Sequence, residues 1–143
     1  LLDGGNGFDR AAYNDDGFDP AGPITRGIVA NLSAASVVVG AETVAAGTVV
    51  DGWGDTDTLV SVEAITGTDL GDVIMGGAAS EFLDGGSGND SLTGGAGQDT
   101  LRGGAGDDVL VTGGGFAISF SFGNEGADEL RGRISAAGGF NLY

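Results

Sequence analysis

Through the middle of the chain an aliphatic residue recurs at every ninth position: Ile74, Leu83, Leu92, Leu101 and Leu110. Polar residues flank several of them, as Ser91 and Thr93 flank Leu92, and Thr100 and Arg102 flank Leu101. In an extended segment the central residue of three faces opposite to its neighbours. The pattern therefore predicts short strands that each direct one aliphatic side chain into a core. Elsewhere RGIVANL (26–32) alternates like a strand, and the β-branched content of SAASVVVGAETVAAGTVV (33–50) disfavours a helix and suggests further coils with irregular turns. Ile118, Phe120 and Phe122 alternate with Ser119 and Ser121, which predicts a longer strand over the end of the core. YNDDGFDPAGP (13–23) is polar and turn-rich and reads as a projecting loop.

The spacing is that of a nonapeptide. GTDLGDVIM (67–75), GGAASEFLD (76–84), GGSGNDSLT (85–93), GGAGQDTLR (94–102) and GGAGDDVLV (103–111) stand in register without a gap. Position 6 is always acidic (Asp72, Glu81, Asp90, Asp99, Asp108), position 8 aliphatic, and glycine prevails at positions 1, 2 and 4. Such glycines reach backbone angles closed to other residues, so the first five residues form a tight turn whose carbonyls can converge. Two units make one coil of 18 residues, with a turn on each edge and a strand on each face. Units two apart then stack at about 4.8 Å. A flexible linker is a poor alternative, because a linker has no reason to repeat an aliphatic at a fixed period.

Charge changes the picture. The 143 residues include 31 Gly, 21 acidic residues and 5 basic ones, all Arg, for a net charge of -16. Nucleic acid is excluded as a partner, since phosphate binding needs a basic surface. The stacking predicted above sets Asp72, Asp90 and Asp108 in one column and Glu81 and Asp99 in another. Two carboxylates about 5 Å apart repel by roughly 3 kcal/mol at an effective dielectric near 20. A cation is needed among them. With no Cys and no His, a metal must be held by oxygen, and carbonyls together with carboxylates from two loops describe calcium better than magnesium, which prefers stricter geometry and retained water.

The nonapeptide GGxGxD followed by x, an aliphatic and x resembles the RTX, or hemolysin-type, calcium-binding repeat of secreted bacterial proteins. The resemblance implies an all-β, right-handed parallel β-roll with two nonapeptides per coil. It also implies calcium between loops two units apart, bound by carbonyls 2 and 4 and the carboxylate of the earlier loop, and by carbonyls 1 and 3 and the carboxylate of the later. Carried onto this sequence, the best site comprises Gly86, Gly88, Asp90, Gly103, Ala105 and Asp108. A second comprises Thr68, Leu70, Asp72, Gly85, Ser87 and Asp90, and a third, on the opposite edge, Gly77, Ala79, Glu81, Gly94, Ala96 and Asp99. Glu81 and Ala79 depart from the family pattern.

Around the array, DTDTLVSVEAITGT (55–68) resembles the segment that leads into such repeats, with Glu63 and Ile65 on positions 6 and 8. The expected organisation is 1–54 as irregular N-terminal coils with a projecting loop, 55–111 as the regular roll, and 112–143 as irregular C-terminal coils continuing into a longer chain. Asp9, Asp57 and Asp128 sit in motif-like units without an assignable stacking partner. Asp15, Asp16, Asp19, Asp51, Asp69, Asp84 and Asp107 read as solvated surface. Phe116, Phe120 and Phe122 read as core or cap, and Trp53, Tyr13 and Tyr143 carry no signal.

The first residues, LLDGGNGFDR, lack a basic segment followed by an apolar run, and no apolar stretch of about 18 residues occurs, so neither an N-terminal signal nor a membrane span is expected. HExxH is absent, and five scattered Arg with no Lys are poor material for a lyase or epimerase face, so catalysis is not expected within this segment. The resemblance implies a structural module of a secreted or cell-surface bacterial protein, exported in type I fashion and folding on calcium outside the cell. Two alternatives stand beside it: a self-associating surface-layer, filament or adhesin subunit, and the folding or targeting module of a secreted hydrolase.

Overall fold

The computed structural model describes residues 1–14, 23–114 and 120–132, and no helix occurs among them. In chain order the strands are β1 (Leu2–Asp3), β2 (Arg10–Ala12), β3 (Val29–Asn31), β4 (Val37–Val39), β5 (Glu42–Val44), β6 (Thr48–Val50), β7 (Thr56–Val60), β8 (Ala64–Thr66), β9 (Val73–Met75), β10 (Phe82–Ser87), β11 (Ser91–Thr93), β12 (Thr100–Ala105), β13 (Val109–Val111), β14 (Phe120–Glu125) and β15 (Glu129–Arg131).

Two parallel stacks carry the repeat. On one face β9, β11 and β13 set Leu92 opposite Ile74 and Leu110. On the other, β8, β10 and β12 set Leu83 opposite Ile65 and Leu101. Paired residues are 18 apart, so each coil is two nonapeptides, as the period predicts. Ile65, Ile74, Leu83, Leu92, Leu101 and Leu110 are all 0% exposed, which identifies position 8 as the core position. Each such side chain contributes about 1.5–3 kcal/mol through burial.

After β13 the step lengthens to 20 residues: Leu110 faces Leu130, and Thr100 faces Phe120. The two extra residues are an even number, which preserves which positions face the core. The longer strand expected here is β14, but its register sets Ser121 opposite Leu101, with Phe120 and Phe122 opposite the flanking Thr100 and Arg102. Phe116 and Ile118 fall outside the described residues.

At the other end β2 pairs in parallel with β8, Ala11 opposite Ile65, and β3 pairs in parallel with β9, Ala30 opposite Ile74. Arg10–Ala12 and Val29–Asn31 thus supply one more coil beneath the repeats, and residues 32–63 are an excursion between that coil and the next. Ser33–Val50, read from composition as further coils, is corrected by the structure. Strands β4 and β5 form an antiparallel hairpin, and β6 runs antiparallel to both β3 and β7. The hairpin turns at Gly40, whose φ of 61° suits a two-residue connection. Val37, Val39 and Val44 then pack on Val29, Val50, Val73 and Met75 in a second apolar cluster. Val73 and Met75 stand at the outward positions 7 and 9, where the later unit has Ser91 and Thr93. Their apolar character is therefore explained by the hairpin that covers them.

Buried Asn31 fastens this cover. Its Nδ2 donates to the carbonyls of Ala35 (2.9 Å), Val44 (3.1 Å) and Ala45 (3.0 Å), and its Oδ1 accepts from Ser33 N (3.0 Å) and Ser33 Oγ (2.6 Å). Tyr13, unassigned from sequence, is buried in the main core, and its hydroxyl donates to Asp57 Oδ2 at 3.2 Å. Asp57 thus bonds a tyrosine instead of stacking on another acid.

Candidate metal centre

Each position-6 side chain lies where a strand meets its turn, because position 8 is fixed in the core and position 6 shares its face of the chain. Consequently the acids fall into two columns. One edge carries Asp72, Asp90, Asp108 and Asp128; the other carries Asp9, Glu63, Glu81 and Asp99. Asp72, Asp90, Asp99 and Asp108 are at most 2% exposed and Glu81 is 5% exposed. Asp9 and Asp128 thereby acquire the stacking partners that the sequence left open.

The columns are held by a ladder of backbone amides and carboxylates. Asp72 N donates to Asp90 Oδ1 (2.8 Å), Asp90 N to Asp108 Oδ1 (2.9 Å) and Asp108 N to Asp128 Oδ1 (3.1 Å). On the opposite edge Glu81 N donates to Asp99 Oδ1 (3.1 Å) and Asp9 N to Glu63 Oε2 (3.1 Å). One carboxylate oxygen is thus used in joining coils. The other oxygen of Asp90 and of Asp108, Oδ2, is buried with no hydrogen-bond partner. An isolated buried carboxylate oxygen is costly, so this atom calls for a positive partner.

Carbonyls surround those oxygens. A Cβ placed on Gly85 would meet both Asp90 Oδ2 and the carbonyl oxygen of Gly103, so two acceptors converge there. The same holds at Gly67 for Asp72 Oδ2 and the Gly85 carbonyl, and at Gly76 for Glu81 Oε2 and the Gly94 carbonyl. The carbonyl oxygens of positions 2 and 4 lie against the loop stacked on them: Gly86 O and Gly88 O face Gly104 and Gly106, Thr68 O faces Gly86, Leu70 faces Gly88, and Gly77 O and Ala79 O face Gly95 and Gly97. A side chain at Gly104 or Gly106 would strike those carbonyls, and φ values of 117° and 131° independently require glycine. Thr68 O, Gly77 O and Ala105 O also accept inter-coil amides from Ser87 (3.3 Å), Ala96 (2.8 Å) and Gly88 (2.7 Å), which leaves one lone pair on each. The residues fit a calcium ion: hard oxygen donors, converging acceptors and a cradle too tight for a Cβ. Among the described residues no group of three or more acidic side chains converges, so backbone carbonyls would complete any such set.

The three sequence-predicted sets are not equal. In the set of Gly86, Gly88, Asp90, Gly103, Ala105 and Asp108, both carboxylates keep an unpartnered oxygen. In the set with Asp72, the carboxylate already accepts Thr68 N (2.7 Å), Thr68 Oγ1 (3.0 Å) and Ile28 N (2.6 Å), and the hydroxyl is a donor that glycine at this position could not supply. In the third, Glu81 shares a side-chain hydrogen bond with Asp99 and accepts Gly77 N at 3.3 Å, and its Oε2 is also buried without a hydrogen-bond partner. Burial raises the pKa of Asp90 to about 7, with the charges of Asp72 and Asp108 adding to the shift and the Asp72 amide opposing it. Glu81 is also pushed up to about 7, by burial and then by its bond to Asp99. Burial likewise raises Asp99 and Asp108.

Outside these columns Asp51 Oδ1 closes a turn by accepting the amides of Trp53, Gly54 and Asp55, and Asp107 Oδ1 accepts Ala127 N. Asp84 is half-buried, 3.7 Å from Arg102, and burial raises its pKa against the pull of Arg102 and Arg10. Asp69 is exposed, while Asp15, Asp16, Asp19 and Tyr143 lie outside the described residues.

No helix among the described residues is long and apolar enough to cross a membrane. No curated protein and no solved structure gives a significant match. Residues 66–99 and 84–116 do match a family model, that of the RTX calcium-binding nonapeptide repeat in four copies. Repeats of this kind bind calcium, form a structural β-roll and are typical of secreted bacterial proteins. The stacked loops with acceptors turned toward one another are accordingly those of the RTX calcium-binding nonapeptide repeats that the chain carries over residues 66–116.

Proposed function

We propose that the chain is a calcium-triggered folding and structural module of an exported bacterial protein, acting outside the cell and without catalysis of its own. The observation that carries this reading is the pair of buried oxygens, Asp90 Oδ2 and Asp108 Oδ2, that have no donor in a region lined by carbonyls. Calcium is held first between the loops of Gly86, Gly88 and Asp90 and of Gly103, Ala105 and Asp108. Weaker positions involve Thr68, Leu70, Asp72, Gly85 and Ser87 on the same edge, and Gly77, Ala79, Glu81, Gly94, Ala96 and Asp99 on the other. The regular roll is 55–111, flanked by irregular coils in 1–54 and 112–143.

The mechanism is linkage between binding and folding. Where calcium is scarce, the columns of like charge oppose stacking, and the chain remains extended enough for one-step, type I export. Outside, each site at a hundredfold excess of calcium over its dissociation constant adds about 2.7 kcal/mol. Adding calcium from zero to millimolar concentration to chelator-treated protein should convert a coil-like circular dichroism spectrum into a β spectrum. A spectrum that calcium leaves unchanged would remove the reading.

A second reading, an end-to-end assembly subunit of a surface layer, filament or adhesin, draws on Leu2, Phe8 and Val60. These are 42%, 66% and 43% exposed around the outermost strand β1 and the loop leading to β2. Polymers that sediment only in calcium support it, and a monomer at every calcium level excludes it.

A further inference from the structure

We propose that the outward face of the sheet formed by β2, β8, β10 and β12, where Arg10, Thr66, Asp84 and Arg102 meet beside Phe82, is a binding site for a neutral, hydroxyl-rich sugar chain. It uses none of the metal positions at the edges of the roll and goes beyond the reading of the chain as a calcium binder. Strand pairing builds it. Ala11, Ile65, Leu83 and Leu101 lie in the core, so the residues on either side of each point outward. The register then sets Arg10 beside Ala64 and Ala64 beside Phe82 in one row, and Thr66 beside Asp84 and Asp84 beside Arg102 in the next. Two of the five arginines of a chain of net charge -16 thus flank one acid on one face.

The independent pointer to a ligand is Thr66. It belongs to the outward row, yet it is 8% exposed and its Oγ1 is buried with no hydrogen-bond partner. A buried hydroxyl left unpaired is costly and calls for a partner. Beside it the Asp84 side chain is 17% exposed, and Arg102 Nη1 stands 3.7 Å from Asp84 Oδ2, beyond hydrogen-bond length. Burial raises the Asp84 pKa and the charges of Arg102 and Arg10 oppose it, so both guanidiniums act on this carboxylate. Among the described residues Arg10 and Arg102 donate no hydrogen bond and the Asp84 carboxylate accepts none. Donors and acceptors therefore stand together without being spent on one another.

That mixture selects the ligand. An anion would meet the charge of Asp84, a cation would meet two guanidiniums, and an apolar molecule would bury the polar groups unpaired. A hydroxyl both donates and accepts. Neighbouring hydroxyls of a sugar can give to Asp84 while they take from Arg102 and satisfy Thr66, and half-buried Phe82 offers a ring to the apolar side of the sugar. The four strands span roughly 14 Å at the usual spacing, which accommodates more than a single sugar ring. An extended peptide instead carries its donors and acceptors along its edges and pairs with a sheet edge.

The test is calorimetric titration of the 143-residue chain, in millimolar calcium, with soluble oligosaccharides of glucose, mannose and galactose, and with a hyaluronan oligosaccharide as the carboxylated comparison, at low and high salt. At least one neutral oligosaccharide should bind, with an affinity that salt leaves unchanged. Arg102→Ala should weaken it about tenfold and Thr66→Val about fivefold, both with the calcium uptake and circular dichroism of the parent protein. Thr66→Val should also leave Tm no lower, because it removes an unsatisfied hydroxyl. Thr43→Ala, on the exposed side of the β4–β5 hairpin, should bind as the parent does. The sugar site is refuted if no neutral oligosaccharide binds, if both variants bind as tightly as the parent, or if hyaluronan alone binds and high salt abolishes it. Calcium uptake is read in a separate titration, so each of these failures leaves the calcium reading standing.

Discussion

The two edges of the roll share one construction and differ in whether stacked acids bond one another side chain to side chain. On the aspartate edge, Asp90 and Asp108 give one oxygen to an amide of the preceding coil and hold the other, unpartnered, among carbonyls. On the mixed edge, Glu81 accepts Gly77 N and bonds Asp99 side chain to side chain, while its Oε2 is likewise buried without a hydrogen-bond partner. There the acids partly satisfy one another, which requires a shared proton. One carbon atom thus brings the Glu81 carboxylate within reach of Asp99. In backbone the edges agree: Gly86, Gly88, Gly104 and Gly106 are left-handed on the aspartate edge, as Gly95 and Gly97 are on the mixed edge, and the loops without glycine at both places, those of Thr68 and Leu70 and of Gly77 and Ala79, are not.

The largest expected effect separates the edges by truncation. Asp90→Ala leaves the Asp72 amide without its acceptor, costing about 1–3 kcal/mol, and takes a carboxylate from the metal positions on both sides of it, each worth about 2.7 kcal/mol at hundredfold excess. In calcium the melting temperature should fall by about 10 °C or more. Asp99→Ala should cost roughly half as much. Equal losses in thermal unfolding would show that the edges are equivalent.

Acidity gives the next largest effect, and its sign depends on the metal. Without calcium, Asp90 and Glu81 have folded pKa values of about 7, above their ordinary 3.8 and 4.5, so the folded state holds more protons. Their contribution is complete below about pH 4 and lost as pH rises through about 7. The slope in that window is about 1.4 kcal/mol per pH unit for each proton. In chelator, the β signal in circular dichroism should therefore grow at the expense of coil as pH falls from 8 to 5. With calcium bound the trend should reverse, because protons and metal compete for the same oxygens. A chelated protein that loses stability on mild acidification contradicts the assignment.

The smallest effect sharpens the contrast by erasing it. Glu81→Asp restores the repeat residue and shortens the reach to Asp99. The weakest calcium affinity should then tighten about fivefold, close to 1 kcal/mol, as read by titration, while the other positions stay unchanged.

The repeat made much of this legible in advance. Position 8 had to be the core because only one residue of three faces inward, and Leu83, Leu92, Leu101 and Leu110 are there with no exposure. Position 6 had to stack because 18 residues close one coil. The family signal could not reach Asp128, since two added residues break the period, and it could not reveal that Thr68 takes up the Asp72 carboxylate. Nor could composition tell parallel coils from an antiparallel hairpin over 33–50, because β-branched residues favour both.

By itself, then, the sequence determined what is local and periodic: strand, turn, inward aliphatic and edge carboxylate, each set by covalent geometry within nine residues. Only the tertiary structure decided what joins residues without a common period. It laid β2 under β8 across 54 positions and β3 under β9 across 44, folded the hairpin over Val73 and Met75, and turned Asp108 toward Asp128. These contacts depend on how much chain is inserted between matching strands, and burial of shared apolar surface fixes that pairing where no local rule does.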